Sequence, residues 1–332
     1  MTVDLASRGA PRGTPAATRL PITYLLRRHG AVIFIYFVTI VLCAVAAVLS
    51  PEFRQLTNMT EILRQSIVVG LVTIGQVYVL LAGGIDMSVG MTARVVGLSV
   101  AVTLDLTVLP TWLVITLGLL TGALIGLING LLITRIGAAP FIVTLGMLGV
   151  LHGISLAISD GPTGAVPDVF LRAYDAVAGP VPVAVLVMAL LWLLAWFVLN
   201  RTSFGRNVYA VGGSPQVSRL AAIDVRKTQT STYVIAGVCA AAAGMFLLAR
   251  SGVGDPSLGQ GLEFQSIVAA AIGGVSMYGG RGSLVGALGA VLLVSVTSNI
   301  FDLLHVSAYY QELALGLIVL IGVAVYKSGA RQ

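Results

Sequence analysis

Apolar residues run through this chain in long unbroken stretches and do not alternate with polar ones. Eight stretches of at least 17 residues contain no Asp, Glu, Lys or Arg: 29–51, 65–85, 106–134, 136–159, 176–200, 228–249, 264–280 and 282–301. A helix needs about 20 apolar residues to cross a bilayer, so each stretch predicts a membrane span. Two further stretches are interrupted: 306–326 by Glu312 near its start, and 87–109 by Arg94 and Asp105. Charge asymmetry keeps both, because cytoplasmic segments retain Lys and Arg. The tail carrying Arg8, Arg12, Arg19, Arg27 and Arg28 should share a side with the loop carrying Arg201, Arg206, Arg219, Arg226 and Lys227. That requires an even number of spans between them, which 87–109 supplies. Lys327 and Arg331 then make 306–326 the last span and place both termini inside.

The predicted fold is all-α: a polytopic membrane protein with about ten transmembrane helices, including broken or re-entrant segments. Residues 1–30 are expected to form a disordered cytosolic tail, 31–327 the transmembrane domain with a cytosolic loop at 201–230, and 328–332 a cytosolic C-terminus.

Composition narrows the function. With 57% apolar and 10% charged residues, the chain has too little charge to cover a soluble domain of its length. The net charge of +6 sits in short segments between apolar runs, so it reports orientation toward membrane lipid and gives no nucleic-acid surface. Cys43 and Cys239 lie within apolar runs, where cysteine behaves as a small hydrophobe. Lys227 and Lys327 lack a preceding glycine-rich phosphate cradle. No cofactor is therefore expected in this chain, and any ATP that drives it must bind a partner subunit. Asp86, Arg94 and His152 are too few to suggest a proton relay, and no paired acids, metal cluster or nucleophile with its base points to an enzyme.

The segment Gly83-Gly84-Ile85-Asp86-Met87-Ser88-Val89-Gly90 puts three glycines and a carboxylate between two apolar runs. A helix break at membrane depth is tolerated only where protein or a watery cavity satisfies the freed backbone, and such breaks often line substrate paths. Asp86 can serve that path, or cap the following helix by accepting from the amides of its first turn. Glycines also punctuate Gly137–Gly146, where Pro140 suits a first helical turn, and Gly273–Gly282, which ends in a tight turn. Gly122, Gly126 and Gly130 suit close helix packing. Polar groups in lipid are costly, so Gln76, Asp86, Ser88, Asn129, Thr144, Gln265 and Asn299 are expected to converge on a central path. In the basic loop, Ser214 is a good N-cap and Pro215 suits the first position of a short helix at about 215–223. Val217, Leu220 and Ala221, followed by Ala222, would give it one small apolar face.

In this order, the segments resemble those of permease subunits of bacterial ABC sugar importers of the ribose type. The resemblance covers about residues 30–326. It rests on Gly84–Gly90, Pro140–Gly146, Arg201–Gly205 followed by Tyr209-Ala210-Val211-Gly212, Ala221-Ala222, Gly273–Gly282, and Val306-Ser307-Ala308-Tyr309-Tyr310-Gln311. It implies a multi-pass protein of the bacterial inner membrane that takes up a monosaccharide or small polyol. The implied partners are a second permease subunit, identical or not, a cytosolic ATP-binding subunit, and a periplasmic or lipid-anchored sugar-binding protein. It also implies that the 215–223 helix docks on the ATP-binding subunit, although the same helix would suit an anionic membrane surface. Arg94 departs from the family pattern; pairing with Asp86, snorkelling to the cytosolic interface, or a span that begins later would each accommodate it. An ion-coupled secondary transporter of small polar solutes is the alternative function.

Overall fold

The computed structural model describes residues 22–307 except Pro180, together with Tyr310, Gln311, Leu313 and Gly316. Most of the expected tail, most of the span at 306–326 and the C-terminal segment lie outside these residues. The described chain runs α1 (Ile22–Leu49), α2 (Leu56–Leu81), α3 (Val89–Leu106), α4 (Thr111–Leu131), a π turn at Leu132–Ile136, and α5 (Pro140–Ile158). After β1 (Thr163–Ala165) come α6 (Asp168–Asp175), β2 (Val177–Ala178), β3 (Val181–Pro182), α7 (Val183–Arg201), α8 (Ser203–Gly213) and α9 (Pro215–Leu220). The last elements are α10 (Val225–Ser251), β4 (Val253–Gly254), α11 (Leu262–Ile272) and α12 (Leu284–Leu303). Eight of these helices, α1 to α5, α7, α10 and α12, are long and apolar enough to cross a membrane.

Small residues decide which helices lie at the centre. Gly122, Gly126 and Gly130 recur every four residues along one face of α4, against Gly237, Tyr233 and Thr230 of α10. A Cβ at any of the three would meet α10 backbone, so the helices approach more closely than side chains allow. Gly75 of α2 meets Ala236 and Gly97 of α3 meets Gly244 in the same way, which sets α10 at the hub of α2, α3 and α4. The outward faces of α4, α5 and α7 expose Leu120, Leu124, Phe141, Ile142, Leu190 and Leu194. Such surface is unfavourable in water and matches hydrocarbon.

Cross-helix bonds sort the loops into two ends. Asn58 of α2 pairs with Asn299 of α12, Glu61 of α2 with Arg250 of α10, and Arg64 of α2 with Asp175 of α6. Strand β1 pairs with β4, so the connections after α5 and α10 lie at this same end. At the opposite end Gln229 of α10 bonds to Ala82, Thr134 meets Thr230, and Gly280 bonds to Leu81. The segment 201–224 and the loop 273–283 therefore share an end. The acids of the connection after α5, Asp160, Asp168 and Asp175, occupy the other.

The expected span 264–280 needs correction. Its helix, α11, has 11 residues and a length of about 16 Å, roughly half of a bilayer core. Gly274, at φ 84°, stops it: Val275 and Gly274 donate back to Ala270 and Ala271 in a left-handed helix ending. The run is uncharged because a glycine-dense loop follows, and hydropathy does not register that loop as an interruption. Residues 252–261, which precede it, run beside α3 from Ala101 to Gly90. Glu263 is buried beside Gly90.

Candidate functional site

Between α2 and α3 the chain is irregular at 82–88, and side chains from three other helices complete its hydrogen bonding. Gln229 Nε2 of α10 donates to the Ala82 carbonyl at 3.2 Å. The Ile85 carbonyl accepts from Thr144 Oγ1 of α5 at 3.3 Å and Tyr233 OH of α10 at 3.5 Å. These carbonyls have lost their helical partners, and protein donors replace them.

The side chains of the break form a second layer. Asp86 accepts from Ser88 twice, at 2.9 Å from the amide and 2.6 Å from the hydroxyl. Asn129 Nδ2 of α4 donates to the Ser88 hydroxyl at 2.9 Å. Asp86 thus closes a turn onto the residue that precedes α3. It does not make the expected cap on the first turn of that helix.

Four of the predicted path residues, Asp86, Ser88, Asn129 and Thr144, are therefore brought together, and all four are buried. Gln76 on α2 is also buried, with both amide atoms unpartnered. Gln265 is partly exposed on α11. Asn299 lies apart from the cluster, in a reciprocal pair with Asn58 at 3.0 and 2.8 Å. Sequence reasoning missed Gln229 and Tyr233, which sit in α10 among small residues that gave no signal of a contact with the break.

Arg94 does not pair with Asp86. Its Nε donates to the Leu258 carbonyl at 2.9 Å, and its guanidinium reaches His152 Nδ1 at 3.4 Å, where the imidazole nitrogen accepts. Arg94 thereby holds the segment before α11 against α3.

At the end shared by the break and the segment 201–224, α9 follows the predicted pattern. Ser214 Oγ accepts from the Val217 amide at 3.4 Å and Pro215 opens the helix. Val217 is 63% and Leu220 89% exposed, and Ala221 and Ala222 are exposed beside them. The helix stops before the predicted 223, because Ala222 turns left-handed at φ 59°. The preceding α8, absent from the sequence reading, is held by stacking of Phe204 on Tyr78 and by a 3.0 Å bond from Tyr209 OH to the Gly282 carbonyl. Burial pushes the Tyr209 phenol above its ordinary range, which keeps it a donor. Among the described residues no cluster of His, Cys, Asp or Glu could hold a metal ion.

Comparison with known proteins covers nearly the whole chain. A family model described as the permease component of the branched-chain amino acid transport system matches residues 58–323. The ribose import permease of Bacillus subtilis is 37% identical, over 85% of this chain and 88% of its own. The fructose import permease of Rhizobium meliloti is 35% identical over 92% and 87%. The D-allose transport permease of Escherichia coli is 34% identical over 87% and 90%. No solved structure matches.

Proposed function

This chain belongs to that permease-component family, and we propose that it forms the membrane path of a binding-protein-dependent ABC importer of a monosaccharide or a related polyol. The family description refers to amino acids. The sugar reading is favoured because relatives at 34–37% identity over most of both chains are named for ribose, fructose and allose. The cluster at the break suits such cargo, since Asp86, Ser88, Asn129 and Thr144 offer carboxylate, hydroxyl and amide groups that complement sugar hydroxyls. Because all four are buried, the proposed path would have to open for a solute to reach them.

The observation that carries the ATP-driven reading is α9, an N-capped helix with Val217 and Leu220 uncovered. A helix of 6 residues is marginal alone, and seating its apolar face in a groove of an ATP-binding subunit would hold it. A second permease subunit and an external sugar-binding protein complete the assembly. ATP is bound and hydrolysed on the partner, in the cytosol, with the α9 end of this chain facing it in the bacterial inner membrane.

Two measurements test the reading. The tagged chain should copurify with an ATP-binding subunit, and proteoliposomes of the complex with its sugar-binding protein should take up D-ribose, D-allose, D-fructose or D-galactose only when ATP is supplied. Uptake driven by an ion gradient without ATP would establish the secondary-transporter reading, and uptake of leucine in place of sugars would establish an amino-acid importer.

A further inference from the structure

The end of α2, the end of α8 and the loop after α11 meet at one point, and their closest approach there is between backbones. The Gly280 amide donates to the Leu81 carbonyl at 2.9 Å. Gly212 packs on both groups: a Cβ there would overlap the Leu81 oxygen and stand 2.6 Å from the Gly280 nitrogen. Gly279, at φ 90°, lies equally close, and its Cβ would fall 2.8 Å from the Gly212 oxygen and 2.9 Å from Gly83 Cα. Gly280 completes the set against Gly213, with a Cβ position 2.7 Å from its Cα.

The connections of these glycines give the contact its meaning. Gly213 immediately precedes Ser214, the cap of α9, while Leu81 and Gly83 open the irregular segment that carries Asp86 and Ser88. Backbone in direct contact has no side-chain rotamers to absorb a displacement. α8 cannot slip freely past the loop either, because Tyr209 ties it to Gly282.

We infer that this glycine junction is the mechanical link of transport, with Gly212, Gly279 and Gly280 as positioning residues that carry movement of α9 into the 82–88 segment. The inference rests on the importer reading and names the part of the chain that would convert docking at α9 into rearrangement of the path. α8 and α9 move as one arm, the junction transfers that motion to Leu81 and Gly83, and the hydrogen bonds of Ala82 and Ile85 to Gln229, Thr144 and Tyr233 are what the motion strains or releases.

Gly212→Ala provides the test because alanine favours a helix more than glycine does, so α8 itself is not weakened. Gly149→Ala on α5 is the control: it lies outside the junction, and its Cβ would meet nothing within 4 Å. In the reconstituted complex, Gly212→Ala should retain the ATP-binding subunit while sugar taken up per ATP hydrolysed falls at least tenfold. Gly149→Ala should stay within twofold of the unmodified chain. A reporter in the otherwise unmodified junction guards against misfolding of the variant. Met87→Cys, in a background lacking Cys43 and Cys239, should change its maleimide labelling rate at least fivefold when ATP and orthovanadate trap the complex. Wild-type coupling in Gly212→Ala, loss of the ATP-binding subunit from it, or labelling indifferent to nucleotide would each overturn the junction. Absence of any ATP-binding subunit from the unmodified chain would overturn the importer reading, and the junction with it.

Discussion

Asn129 donates to the Ser88 hydroxyl at 2.9 Å, and Ser88 passes its own proton toward Asp86 at 2.6 Å, so α4 is joined to the break before α3 by a two-bond chain. Neither group reaches solvent. In such a site a lost partner costs more than the bond contributes, because the remaining group stays buried and unpaired.

Ser88→Ala should therefore destabilise the purified permease by about 1–3 kcal/mol, since it strands the Asn129 amide. Asn129→Leu should cost a similar amount, and the double variant should cost less than the two single changes added together. Thermal unfolding in detergent measures all four corners of this cycle. Strict additivity would show that the bond is not energetically significant.

The α4–α10 seam predicts a contrast among glycines. Gly126→Val places a branched side chain against the Tyr233 carbonyl and should separate the helices, costing more than about 2 kcal/mol and lowering protease resistance. Gly153→Val on α5, with nothing within 4 Å of its Cβ, should leave both unchanged. Equal sensitivity of the two sites would contradict the packing described for α10.

The exposed face of α9 predicts a surface phenotype. Leu220→Glu should leave expression and unfolding temperature unaltered, because the side chain packs on nothing in the isolated chain. It should reduce retention of the ATP-binding subunit at least tenfold in a pull-down. Bulky charged residues at Ala221 and Ala222 should likewise abolish uptake while the protein stays inserted.

Sidedness gives the fourth prediction. In a background lacking Cys43 and Cys239, Thr163→Cys should react with an impermeant maleimide on intact spheroplasts, and Gln216→Cys only after permeabilisation. Labelling of Gln216→Cys from outside would reverse the assigned orientation.

Much of this was legible from the chain because lipid imposes a simple rule: uncharged runs long enough to cross become helices. Seven of the eight uninterrupted runs and the Arg94-bearing stretch appear as long helices. The rule fails at 264–280, where Gly273, Gly274, Gly279 and Gly280 are as uncharged as leucine yet stop a helix. The break at 83–90 was legible for the converse reason, since Asp86 announces it. Partnerships were less accessible. Asn299 and Asn129 look alike as single polar residues in apolar runs, and only the packing of α2 against α12 shows that Asn58 claims the first. Tyr233 and Gln229 were hidden because their partners are backbone carbonyls, which carry no residue signature.

The strand pair between β1 and β4 has a mechanical consequence. It clips the connection after α5 to the connection after α10, and Gly164 presses that clip onto the backbone of Ala101 in α3. Three of the crossings are thus pinned near one membrane face, whereas at their other ends α5 and α10 meet the segment before α3 through the side chains of Thr144 and Tyr233. A bundle fastened at one rim would answer a push at the other by tilting about the fastening, so the clip would serve as a fulcrum and the lengths of α3, α5 and α10 would set the gain.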